Sequence, residues 1–189
     1  MSIIRTVPEG EANGLVADLY ASDRAAQGYV APHTAVMAMN PEAEVAFENL
    51  VRAILSGLDL RRYELVTLAA ARGARSAHCR LAHGRKSLGL FSEEQLTAIA
   101  RDHRSAGLSP AEVAMMDFAE QAGRDPAAMT EADSLRLREH GFTDREIVDI
   151  ALAASVRRYY SGAIQALAVP VDVPPTLPAG LAESLVAGL

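Results

Sequence analysis

The stretch "RYELVTLAAARGARSAHCRLAHGRKSLGL", residues 62–90, holds both a sharp helix break and the only cysteine of 189 residues. Its first half runs through Leu, Val and Ala without alternating apolar and polar positions, which predicts a buried helix from about Leu60 to Arg72. "RGARS" interrupts that pattern. Gly73 suits the exit of the first helix, and Ser76 suits the N-cap of a second, from about Ala77 to Leu88. So short a connection makes the two helices antiparallel neighbours. Glu64 lies about nine residues before the turn and His83 about nine after it, so at ~1.5 Å per residue both stand roughly 13–14 Å from it. Cys79 and His83, four residues apart, share a helix face. The expectation is a helical hairpin whose seam gathers Glu64, His83 and Cys79.

Working outward, helix punctuation recurs. "NPEAEVAFENLVRAILSG" offers Asn40 as N-cap, Pro41 at the first helical position and Gly57 near the end. "FSEEQLTAIARDH" sets Gln95 three residues after Ser92, a capping-box spacing. Ser109, Pro110 and Glu112 repeat the device, as do Thr143 and Glu146 at the head of "FTDREIVDIALAASVRRYYSGAIQALAV". A short helix over 130–140 and an N-terminal helix over 11–27 complete the set. Sustained strand alternation is missing. The chain therefore reads as an all-α, compact domain over 1–189 with seven or eight helices. The tail, 169–189, carries four prolines between residues 170 and 178 and starts extended. It ends in Leu181, Leu185, Val186 and Leu189, and is expected to pack on a neighbouring subunit or on its own body.

Composition narrows the function classes. Half the residues are hydrophobic but only 5% are aromatic and none is Trp, so the core is built from Ala, Leu, Val, Ile and Met. The net charge is −6 and the 18 basic residues are scattered, which argues against nucleic acid and anionic membrane surfaces as partners. One cysteine forms no internal disulfide. "MSIIRTVPEGEANGL" lacks a signal peptide's apolar run, and no 18-residue apolar stretch offers a membrane span. A cytoplasmic protein in a thiol-reducing compartment is expected.

The residues around Cys79 suit thiol chemistry. A thiol reacts as thiolate, and Cys79 falls in the first turn of its helix, near the positive end of the dipole. An imidazole can take the thiol proton and a carboxylate can orient that imidazole. Cys79 then attacks, His83 moves the proton, Glu64 anchors it, His78 assists, and Ser76 caps the helix or hydrogen-bonds the thiolate. Each has a plainer alternative: a packed core thiol, a satisfied histidine, a solvent-facing His78, a cap at Ser76, a surface acid at Glu64. Zinc on His78, Cys79, His83 and Glu64 is disfavoured, because adjacent helical residues point about 100° apart, and no metal or cofactor is expected. His33, His103 and His140 fall in a loop, near a helix end and before Gly141, without ligand spacing. "RRYY", 157–160, can lend Arg157 or Tyr159 to a pocket, although surface arginines are commoner.

"ELVTLAAARGARSAHCRLAHG" resembles the core motif of the AhpD-like alkylhydroperoxidases in the carboxymuconolactone decarboxylase superfamily. Their pattern is Glu, eleven residues, Cys, any residue, His, Cys, three residues, His. This chain has Glu64, Ser76, His78, Cys79 and His83 at those positions, so only the first cysteine differs. "GYVAPHTAVMAMNPEAEVAFENLVRAIL" is similar to the lead-in of the peroxidase-related branch, and the likeness spans roughly residues 28–173. It implies a peroxidase in which Cys79 reduces a hydroperoxide to leave sulfenic acid, with Glu64, His78 and His83 relaying protons. Ser76 replaces the resolving cysteine, as in other members of that branch, so an external thiol must reduce Cys79. It further implies a homo-oligomer: dimer, trimer or hexamer. Two alternatives stand beside it. One is a decarboxylase-like enzyme on a small carboxylated lactone, using His83 and Glu64 with Arg72, Arg80 or Arg157 as clamp. The other is a non-catalytic oligomeric relic.

Overall fold

The structure is a computed structural model and describes residues 3–189. Those residues form ten α-helices and three single 3-10 turns, with no strand among them. In chain order the helices are α1 (Gly14–Gln27), α2 (Pro32–Met37), α3 (Pro41–Leu55), α4 (Leu60–Gly73), α5 (Ala77–Ser87), α6 (Glu93–Asp102), α7 (Pro110–Arg124), α8 (Glu131–Glu139), α9 (Asp144–Ala166) and α10 (Ala179–Val186). The architecture is all-α, with two short helices, α2 and α10, beyond those read from sequence punctuation. At six residues α2 is too short to show a periodic pattern, and it puts His33 in a helix rather than a loop. The first helix also starts later than residue 11, because Glu9–Glu11 forms a separate 3-10 turn.

Capping follows local chemistry. Asn40, Asp59, Ser76, Ser92, Ser109 and Thr143 each accept a backbone N–H from the first turn of the helix they precede. The Ser109–Glu112 and Thr143–Glu146 boxes close in both directions. At Ser92 only one half forms, the Gln95 amide donating to Ser92 Oγ at 3.2 Å.

The centre of the molecule is α4. Tyr63 through Ala71 are all buried, the mark of a helix packed on every side. It contacts α5, α7 and α9, and the α7 crossing is the tightest because two glycines meet backbone there. A Cβ on Gly73 would lie 2.1 Å from the Glu120 carbonyl oxygen, and one on Gly123 would lie 2.3 Å from the Ala70 carbonyl oxygen. Gly73 ends the helix as expected and is also a close-approach residue. Arg75 takes the left-handed conformation (φ +54°), and the Ser76 amide closes the turn onto the Ala71 carbonyl at 2.9 Å. Gln165 of α9 satisfies the loose Ala74 and Arg75 carbonyls at 3.2 and 2.9 Å.

The apolar tail lies on its own chain: α10 packs on α5 and α6, with Leu181 and Leu185 fully buried. Buried Arg80 pins this corner, donating to the Leu185, Leu68 and Ala100 carbonyls at 2.7, 3.3 and 3.1 Å. Burial pushes its pKa down to about 10, which leaves it a cation at neutral pH.

Candidate active site

The hairpin of α4 and α5 forms one wall of a cavity of about 520 Å³, with α1, α2, α3 and α9 supplying the rest. Exposed Ser22, Arg52, Leu60 and Lys86 line it where it reaches the surface. Phe47, Val51, Leu55 and Ile164 make one side of it apolar.

Glu64 and His83 meet across the hairpin, His83 Nδ1 lying 2.7 Å from Glu64 Oε2 with both side chains buried. Burial drives the His83 pKa down to about 3, so the ring is neutral at physiological pH. A neutral ring beside a carboxylate donates its Nδ1 hydrogen to Glu64, and Nε2 is then the basic nitrogen. Burial works against the Glu64 carboxylate, but the hydrogen bond from His83 and the positive charges of Lys86 and Arg157 hold its carboxyl below the usual range.

Cys79 is 3% exposed, lies in the first turn of α5 and lines the same cavity. Its sulfur is served by two residues of α9 rather than by the histidines. Ser161 Oγ donates to Sγ at 3.2 Å and Arg157 Nη1 at 3.5 Å. Both side chains are buried. Burial opposes the Arg157 charge, yet Cys79 and Tyr63 beside it raise its pKa above the ordinary guanidinium value, so it is a permanent cation. A cation and a hydroxyl donor aimed at one sulfur are what a thiolate needs in a site removed from bulk water.

The other expected residues divide. His78 is buried rather than solvent-facing, lines the cavity and has an unpartnered Nε2. Ser76 is fully buried and acts as the cap, its hydroxyl accepting the Cys79 amide at 3.4 Å instead of pairing with sulfur. Of the three candidate clamps, Arg72 and Arg80 are spent on backbone carbonyls and only Arg157 reaches the cavity. Tyr159 is 55% exposed, and its neighbour Tyr160 is the one that turns inward. His103 pairs with Asp117 at 2.8 Å, away from the cavity. Among the described residues no group of three or more His, Cys, Asp or Glu is arranged to hold a metal, and no helix is long and apolar enough to cross a membrane.

Sequence reading missed Ser161, Tyr160 and Glu44. The signal was present: Arg157, Ser161 and Ile164 share a face of α9, and Glu44 lies on the stripe of Phe47, Val51 and Leu55 along α3. An acid on an apolar stripe is the anomaly that marks an inward carboxyl.

No protein-family model matches the sequence, and no curated protein does either. Solved structures do match. An AhpD-core, uncharacterized peroxidase-related protein from Ralstonia eutropha superposes with a TM-score of 0.78 at 21% identity, over 98% of this chain and 96% of that one. An uncharacterized peroxidase-related protein from a Silicibacter species gives 0.74 at 25% identity, over 90% and 92%. The debrominase Bmp8, also solved in complex with 2,3,4-tribromopyrrole, gives 0.80 in its apo form at 14% identity, over 97% of each chain. The fold thus serves more than one activity. Helix order, the hairpin motif and these neighbours agree that the chain has the AhpD-like fold seen in those peroxidase-related proteins.

Proposed function

We propose that the protein is a thiol-dependent peroxidase with Cys79 as its attacking residue. The observation that carries the reading is the sulfur held between Ser161 Oγ and Arg157 Nη1, on the wall of a cavity that also presents the Glu64–His83 pair. The thiolate attacks the terminal oxygen of R–O–O–H, an S–O bond forms as the O–O bond breaks, and sulfur loses two electrons to the peroxide. Cys79 becomes sulfenic acid and the alcohol leaves. His83, oriented by Glu64, accepts the thiol proton beforehand. With no second cysteine in the chain, an external thiol condenses with the sulfenic acid and releases water, and a second thiol frees Cys79 as a disulfide departs.

The lactone reading has less support, because the buried cation of the cavity turns its Nη1 to the sulfur. A relic would have no use for a buried guanidinium aimed at a thiol, since burying a charge is costly. The test is stoichiometric cumene hydroperoxide followed by dimedone trapping and mass spectrometry. Sulfenate on Cys79 is expected. Peroxide consumption by Cys79→Ser at the parent rate would sink the proposal.

A further inference from the structure

The cavity that holds the Glu64–His83 pair carries a second carboxyl that the reaction above leaves unused. Glu44 is 6% exposed and lines the cavity from the first turns of α3. Tyr160 of α9 donates its hydroxyl to Glu44 Oε1 at 3.2 Å, while Oε2 is buried and has no partner. A buried, unsatisfied carboxyl oxygen is costly, and on a residue that lines a cavity it is explained when a substrate atom completes it. The same tyrosine packs in one cluster with Cys79, and its ring lies 5.8 Å from the Arg157 guanidinium carbon. Glu44 is therefore held one phenol ring away from the sulfur's surroundings, tied to them through α9.

We propose that Glu44, positioned by Tyr160, is the general acid that protonates the departing oxygen when Cys79 opens the peroxide bond. The inference rests on the peroxidase reading and adds a proton donor to it. The thiol proton goes to His83, and the S–O bond forms as the O–O bond breaks. The Glu44 Oε2 hydrogen passes to the leaving alkoxide, giving a neutral alcohol and a Glu44 carboxylate. Solvent in the cavity then moves the His83 proton back to Glu44, so no proton is gained or lost.

The surroundings favour the protonated form. Burial pushes the Glu44 pKa up to about 7, and Glu48 on its own helix and Asp23 on α1 push the same way. Tyr160 and Arg157 of α9 oppose them. His33 of α2, whose ring stands edge-on to Tyr160 with Nδ1 unpartnered, completes the group. Two carboxyls in one cavity, one held ionised and one raised toward neutral pH, is the division of labour expected of a base and an acid.

A leaving-group comparison tests it on the full chain. Cumene hydroperoxide expels an alkoxide that needs a proton, whereas peracetic acid expels acetate, which does not. The measured quantity is the ratio of the two rate constants for Cys79 oxidation, with iodoacetamide alkylation as the check that the site is folded. In Glu44→Gln the ratio falls by about a hundredfold, the lower end of general-acid effects, and in Glu44→Asp it falls less because the proton is only withdrawn. An unchanged ratio overturns the proposal, including one produced by equal slowing of both oxidants. An oxidisable parent with an unchanged ratio defeats Glu44 alone; a parent that neither oxidant modifies defeats the peroxidase reading with it.

Discussion

Ser161→Ala removes one of the two donors to the sulfur and leaves Arg157 at 3.5 Å. A hydrogen bond to a charged group contributes about 1.5–3 kcal/mol. Losing that bond disfavours the thiolate relative to the thiol by the same free energy, about 10- to 150-fold. A less stabilised thiolate is also more nucleophilic, with a Brønsted slope of about 0.4–0.5, so roughly half of the free energy reaches the rate and the net loss is about 4- to 20-fold. Stability should change little, by about 1 kcal/mol, because the hydroxyl's partner is the sulfur itself. Stopped-flow measurement of Cys79 oxidation by cumene hydroperoxide, paired with iodoacetamide alkylation, reads both effects. The donor acts on sulfur, so the two rates must fall together. An unchanged peroxide rate, or a peroxide rate that falls while alkylation holds, refutes the assignment of Ser161.

Three further outcomes follow from other parts of the fold. His83 stays neutral in the folded state down to a pKa of about 3, whereas the unfolded imidazole titrates at its ordinary 6.5; its contribution to stability is complete above pH 6.5 and is lost as pH falls toward 3. Urea melts should weaken through that window in the parent and less so in His83→Gln, and parallel pH profiles would contradict the buried neutral ring. Gly123→Ala drives a Cβ into the Ala70 carbonyl and must part α4 from α7, costing about 1–3 kcal/mol or more; a melting temperature within a degree of the parent's would show that the crossing is looser than described. Arg80→Met leaves carbonyls of three helices without their buried donor, so thermal unfolding should shift down by several degrees and protease cleavage in 179–189 should rise; unchanged cleavage would separate Arg80 from the docking of α10.

Local chemistry made much of this molecule legible before any coordinates. Caps at Asn40, Ser76, Ser109 and Thr143 announce helix starts because an N-cap side chain satisfies backbone donors two or three residues away. The Glu64–His83 contact was readable for the same reason: two helices joined by a short turn bring positions equidistant from it to one height. Gly73 shows where such reasoning stops. Its role depends on how closely Glu120, on another helix, approaches it, and the left-handed turn falls to Arg75.

The sequence by itself determined an all-helical chain and a hairpin that pairs an acid with an imidazole and carries a thiol on the wall of the same cavity, since both depend on spacings of a few residues. Tertiary structure alone decided what touches the sulfur. Ser161 and Arg157 lie 82 and 78 residues away along the chain, and their pairing with Cys79 exists only because α9 packs against α4 and α5. It also decided which carboxyl is held ionised and which is raised toward neutral pH. That difference follows from burial and from the neighbours each carboxyl meets across helices, and neither quantity is written in local sequence.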